Sequence, residues 1–151
     1  MTDPFIIREA TAAHVADILN LEIQITGLSH IREREIVGAA TSAHDCLVCT
    51  DGAERVIGYV VLTKKAFFGR DFVRLLGVSD DHRRLGVATA LLAGALTRCA
   101  TKTVFTSTNE SNVVMRSLLA HDGWTFSGAL TGIDEGDPEF VFWKQPIVST
   151  T

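Results

Sequence analysis

Cysteine, tyrosine and proline are all scarce in this chain of 151 residues, which has three, one and three of them. An odd set of cysteines (Cys46, Cys49 and Cys99) cannot close a disulfide framework, so the expected setting is a reducing cytoplasm. The lone tyrosine, Tyr59 in VIGYVVL, leaves almost no phenol for acid catalysis and reads as a core or cleft-wall residue. No apolar run approaches the roughly 18 residues that span a bilayer, so no membrane role is expected. The stretch MTDPFIIREA is too short in apolar residues for a secretory signal. Positive charge is in deficit, with 14 Lys and Arg against 18 acids and a net charge of -4. Without a basic stripe, nucleic acid is not expected as a partner, whereas a small or cationic substrate is tolerated.

What is present describes a globular chain. Hydrophobic residues make up 46% and charged residues 21%, enough to build a core without forcing insolubility. There is no repeat, low-complexity segment or linker, so residues 1–151 are read as a single domain.

FIIREA reads as a strand, and Thr11 as the cap of a helix through NLEIQI. A second helix is expected over HIREREIVGAA. DCLVCT and RVIGYVVLTKK read as strands paired across Asp51 and Gly52, and FVRLLGV as a buried strand. Phe67 and Phe68 fall at a strand end, where core packing is favoured over lining a cleft. A helix from Gly86 to Cys99 carries its apolar face on Val87, Leu91, Leu92, Ala95 and Leu96. TVFTST, the helix NVVMRSLLAHDG, and the strands WTFSGALTG and EFVFWK complete a mixed α/β order, βααβββαβαββ. In CLVC, two cysteines three apart on a strand point to opposite faces, so core thiols are favoured over a metal or redox pair. The five histidines show no ligand spacing, so no metal is expected; His121 suits a helix C-terminus, and His82 could touch a phosphate.

HRRLGVATALL sets Arg83 and Arg84 before Gly86 and the first helical turn, Val87, Ala88 and Thr89. The first N–H groups of a helix lack internal partners and lie at its electropositive end. Glycine and alanine allow a ligand close to that backbone. This is either a cradle for phosphate or pyrophosphate, or a plain strand-to-helix turn with solvated arginines, and the residues alone leave both open. It is neither a P-loop, lacking Gly-Lys-Ser/Thr, nor a dinucleotide fingerprint, having one glycine where three are needed.

Arg83, Gly86 and Ala88 fall where the GNAT superfamily of N-acetyltransferases has its Gln/Arg-x-x-Gly-x-Gly/Ala signature, followed here by Leu91 and Leu92. Downstream, Asn112, Met115 and the Gly123-Trp124 pair match a second part of the pattern. The chain thus resembles that superfamily from FIIREA to FVFWK. The resemblance implies the GNAT fold, with the fourth and fifth strands splayed around acetyl-CoA. It implies that Leu76, Gly77 and Val78 meet the pantetheine arm and that Arg83, Arg84, Gly86, Val87, Ala88 and Thr89 surround the pyrophosphate. Asn112, and more weakly Asn109, would stand near the thioester. The implied activity is transfer of acetyl from acetyl-CoA to a primary amine by direct attack on the thioester, on a small molecule in preference to a peptide or protein N-terminus. A homodimer would be ordinary for such a protein.

The pattern also breaks. The family's base on the fifth strand and its tyrosine acid in the next helix fall on Ser107 and Leu119, neither of which is a conventional acid or base. Ser107 can line the reacting position or simply satisfy strand-end backbone. IDEGDPE gathers Asp134, Glu135, Asp137 and Glu139, either to draw in a cationic amine, with Asp137 and Glu139 the leading candidates, or as a solvated turn. The missing pair keeps open a further alternative, a non-catalytic acyl-CoA-binding or sensing domain.

Overall fold

The computed structural model describes residues 4–27 and 31–146, with no side-chain detail at Ile31 and Arg32. Seven strands form one mixed sheet: β1 (Ile6–Glu9), β2 (Cys46–Thr50), β3 (Val56–Phe67), β4 (Arg70–Val78), β5 (Val104–Asn109), β6 (Thr125–Leu130) and β7 (Glu139–Lys144). Four helices accompany them: α1 (Val15–Thr26), α2 (Ile31–Ser42), α3 (Val87–Thr97) and α4 (Val113–His121). The element order is the one expected from sequence, and so is the mixed α/β class. The expected second helix opened at His30, which lies outside the described residues. Thr11 does not cap α1 directly, because a single 3-10 turn at Ala12–His14 comes between. Its backbone N–H donates to the His14 ring, 3.0 Å away.

Sheet order is β1-β2-β3-β4-β5-β7-β6, antiparallel except where β4 meets β5. Strand alternation sorts the side chains into two cores, one on each face of the sheet. On one face Val87, Leu91, Leu92 and Ala95 of α3, with Leu119 of α4, pack on Leu47, Val60, Val73 and Val104. On the other, Ile18 and Leu21 of α1 and Val37 of α2 pack on Cys46, Val48, Tyr59 and Val61. Cys46 and Cys49 fall in different cores, on opposite faces as their spacing requires. Burial pushes both thiols up to about 11. Phe67 ends β3 and stacks on Phe72 and Phe105, whereas Phe68, at φ +49°, is left 91% exposed at the hairpin.

The parallel β4–β5 pair positions everything that follows. It lasts three residues, Asp71↔Val104, Phe72↔Phe105 and Val73↔Thr106, and then the strands part. A bulge coincides with the parting: Val61 pairs with Leu75 but Leu62 with Val73, so Arg74 is an extra residue in β4. Arg74 is exposed at the fork.

Candidate functional site: a fork between two strands

Antiparallel partners exchange both backbone hydrogen bonds at alternate residues only. Ser79 N–H donates to Ile57 O at 2.8 Å, so Leu75, Gly77 and Ser79 address β3. Leu76 and Val78 therefore turn their N–H and C=O groups away from β3, into the gap. On the other bank Glu110 N–H donates to Pro138 O at 2.8 Å. By the same alternation Thr108 and Thr106 address β7, and the backbones of Ser107 and Asn109 face the gap. The gap is thus bordered by polar backbone without strand partners on both sides, the Asn109 carbonyl alone accepting locally, from Asn112 N–H at 3.0 Å, and it opens at the carboxyl ends of two parallel strands. A crevice there is the usual ligand site of sheets that carry parallel strands and crossover helices.

The β4–α3 connection ends at the same mouth. Gly86, at φ +83°, takes a left-handed conformation that side chains seldom adopt, and a Cβ there would meet nothing within 4 Å. The first α3 backbone bond runs from Ala90 to Gly86 O at 3.0 Å. No backbone acceptor meets the N–H groups of Val87, Ala88 or Thr89. Arg83 is tied to Asp80 at 3.0 Å, and Arg84, at φ +63°, is exposed beside it. The His82 Nδ1 atom is buried without a partner. Open space, unpaired N–H groups and cationic flanks suit a pyrophosphate. Of the sequence expectations, Leu76, Val78 and the residues from Arg83 to Thr89 share this one surface. Gly77 has a different task, since a Cβ on it would lie 2.7 Å from Tyr59 Cε1 and 3.0 Å from Ile25 Cδ1.

The other expected residues are held by local bonds. Asn112 caps α4, its side chain accepting the Met115 N–H at 3.1 Å. Asn109 donates to Asp134 Oδ2 at 2.9 Å and to Asp137 O at 3.3 Å, tying the β6–β7 loop to β5. Asp137 accepts from Ser111 N–H at 3.0 Å and from the Ser111 hydroxyl at 2.6 Å. Glu139 is half-buried at the start of β7, opposite Asn109. The loop from Thr131 to Pro138 surrounds a hollow of about 510 Å³ lined by its own residues. Ser107 is half-buried on β5. Leu119 is fully buried in the α3/α4 core, so that position has no access to a ligand.

Two residues escaped the sequence reading. Arg74 gave no sign because a bulge arises from strand pairing. Glu22 lies on the sheet-facing stripe of α1 with Ile18, Leu21 and Ile25, and accepts a hydrogen bond from the Tyr59 hydroxyl. A carboxylate at a core-facing helical position was the readable sign.

The family model of the acetyltransferase (GNAT) family matches residues 15–124. Among solved structures, a GNAT-family acetyltransferase from Bacillus cereus ATCC 10987 is 27% identical with a TM-score of 0.87, the match covering 96% of this chain and 99% of that one. Ard1 from Thermoplasma volcanium is 18% identical, with a TM-score of 0.80 and coverage of 95% and 99%. Arabidopsis thaliana Naa50, in complex with the bisubstrate analogue CoA-Ac-MVNAL, is 14% identical, with a TM-score of 0.78 and coverage of 93% and 98%. The last two likenesses are of fold. No curated protein matches the sequence.

Proposed function

Because the chain belongs to the acetyltransferase (GNAT) family and is by that membership an acyltransferase, we propose that it moves acetyl from acetyl-CoA to a primary amine, in preference on a small molecule. The observation that carries this is the fork. Three paired residues hold β4 and β5 together, and beyond them backbone without strand partners lines a gap that ends at the open N-terminus of α3.

In this reading the backbones of Leu76 and Val78 bind the pantetheine arm, with Gly77 keeping the strand close to Tyr59. N–H groups from Arg84 to Thr89 cradle the pyrophosphate, and Arg83 and Arg84 add charge around Gly86, Val87 and Ala88. Asn109 and Asn112 fix the elements at the thioester end. Acetyl-CoA supplies an acetyl group activated as a thioester. The chain contributes position and electrostatics: an amine held beside the gap reacts with a large entropic advantage. Ser107 lines that position from β5. Asp137 and Glu139 contribute negative field at the mouth, which raises the local concentration of a cationic amine.

The scarcity of cysteine supports a cytoplasmic setting, and among the described residues no helix is long and apolar enough to cross a membrane. The edge strand β6, with Phe126 and Leu130 exposed, is where a second copy would add in a homodimer.

Calorimetric titration with acetyl-CoA tests the reading, comparing the natural chain with Ala88→Glu. Glutamate in a first helical turn suits the helix dipole, so the variant folds, but its charge opposes pyrophosphate. The expected result is micromolar binding that the variant loses. A folded natural chain that binds no acetyl-CoA overturns the proposal. Turnover of polyamines or amino acids, set against peptides, then separates a small acceptor from a peptide N-terminus. Binding without turnover on any amine would mark a sensor.

A further inference from the structure

A buried tyrosine and a carboxylate of α1 meet beside the strand that borders the gap. Tyr59 stands on β3 opposite Gly77 of β4, and its ring lies across that glycine. A Cβ at Gly77 would be 2.7 Å from Tyr59 Cε1 and 3.2 Å from Cζ, the carbon that bears the hydroxyl. The ring's far end therefore sits over β4, on the α1/α2 side of the sheet. Gly77 lies between Leu76 and Val78, the residues whose backbones wall the gap. Tyr59 is 1% exposed, and a buried hydroxyl needs a partner. That partner is the carboxylate of Glu22, half-buried on the sheet-facing side of α1.

A carboxylate on that stripe is costly unless it is bonded, and a hydrophobic residue there would pack better on Ile18, Leu21 and Ile25. The pair instead holds one negative group above the β4 edge, on the face opposite the α3/α4 core. Leu76 and Val78 send their side chains into that other core, so Tyr59 and Glu22 lie on the opposite face of β4, beside the backbone that borders the gap. Ser107 and Asn109 share that side, because Val104 on the alternate register of β5 is in the α3/α4 core.

We propose that Glu22, held by Tyr59 over Gly77 at the edge of the fork, is the carboxylate that receives the acceptor ammonium and takes its proton. This rests on the acetyltransferase reading above. The proton leaves the ammonium nitrogen for a Glu22 oxygen and the nitrogen keeps the electron pair, becoming a free amine. Tyr59 keeps its own proton throughout as the donor that orients the carboxylate. Glu22, now a neutral acid, returns the proton to water. Glu22 is thus a catalytic residue and Tyr59 a positioning residue.

Two measurements test this, and the first needs no knowledge of the acceptor. Glu22→Cys is treated with CoA activated as its 2-thiopyridyl disulfide, and the mixed disulfide is read by mass on the peptide containing residue 22. Ile23→Cys, one residue away and exposed on α1, is the control, and the natural chain reports background from its own three thiols. The expected result is at least about tenfold faster capture at position 22, in keeping with the high effective concentration of a held reactant. Equal rates, in a variant that still binds CoA by calorimetry, overturn the inference and leave the acetyltransferase reading intact. Failure of the natural chain to bind CoA overturns both.

The second measurement uses any of putrescine, spermidine, tyramine or the free amino acids that the natural chain acetylates. Glu22→Gln should lower kcat by about 10²- to 10⁴-fold, the usual range for a general base. Tyr59→Phe should lower kcat by roughly tenfold through the same carboxylate, with acetyl-CoA affinity unchanged. A kcat within twofold of the natural chain in Glu22→Gln overturns the role.

Discussion

At the scale of single residues, Gly77 has the tightest surroundings of the candidate site. Its φ is unremarkable; space is the constraint, with Tyr59 and Ile25 side chains lying where a Cβ would go. Both neighbours belong to the α1/α2 core and have nowhere to move without displacing α1. Gly77→Ala should therefore destabilise the fold by about 1–3 kcal/mol, the ordinary cost of overpacking. The midpoint of urea unfolding measures it. Gly86→Ala makes a useful contrast, since the added methyl meets no atom there and only the left-handed backbone, at φ +83°, is strained. If Gly77→Ala has the stability of the natural chain, the ring does not lie across β4 as described. At the same scale, Leu119 is accounted for by packing, and nothing in the structure explains the serine at position 107. Leu119 is fully buried in the α3/α4 core.

At the scale of elements, the β2–β3 turn provides a pH-dependent test. Asp51 accepts the N–H groups of Arg55 at 2.9 Å and Ala53 at 3.0 Å, and its second oxygen meets the Arg55 guanidinium at 2.9 Å. The Arg55 N–H, then the guanidinium and the Ala53 N–H, outweigh desolvation and hold the Asp51 carboxyl below the usual range. A carboxyl depressed on folding stabilises the protein above its unfolded value of about 3.9, and that stability is lost as pH falls through the folded value. Asp51→Asn should thus be less stable than the natural chain at neutral pH, and the difference should shrink towards zero in strong acid. Chemical unfolding at several pH values measures it, and a gap that stays constant across pH would assign the turn's stability to geometry alone. Asp45 shifts the other way, raised first by desolvation, so it does not add to this loss in acid.

The elements themselves were readable because their periodicities are local. Val87, Leu91, Leu92 and Ala95 recur at helical spacing and are all buried. β5 alternates buried Val104, Thr106 and Thr108 with half-buried Phe105, Ser107 and Asn109, as one strand between two layers must. The open N-terminus of α3 was readable for the same reason, since a glycine and two arginines before an apolar helix are contiguous. What was not readable depends on partners distant in sequence. Asn109 and Asn112 are the same residue type three apart, yet one ties a loop 25 residues away and the other caps its own helix. Glu22 finds Tyr59 across 37 residues, and Arg74 is set apart by a register shift in a hairpin. The register shift leaves no periodic trace, and the helical stripe marks Glu22 as core-facing without naming its partner.

At the scale of the whole molecule, the sheet is nearly two sheets. β1 to β4 and β5 to β7 meet through three parallel residue pairs, and beyond them the facing backbones of Leu76, Val78, Ser107 and Asn109 lack strand partners. A ligand lying in that gap and reaching the α3 N-terminus, as proposed for acetyl-CoA, would bridge the two halves as well as occupy a site. Such a ligand binds the folded chain and not the unfolded one, and its affinity appears directly as stability. Acetyl-CoA at a hundred times its dissociation constant should stabilise the fold by about 2.7 kcal/mol. For a chain of this length that corresponds to a rise in Tm of roughly 5–10 °C. The rise should shrink as salt screens Arg83 and Arg84, because part of the attraction is between charges at an exposed surface. Ala88→Glu should keep the Tm of the free chain and lose the rise. Differential scanning fluorimetry with increasing acetyl-CoA makes the comparison. A folded chain whose Tm does not respond would overturn the acetyl-CoA reading of the fork.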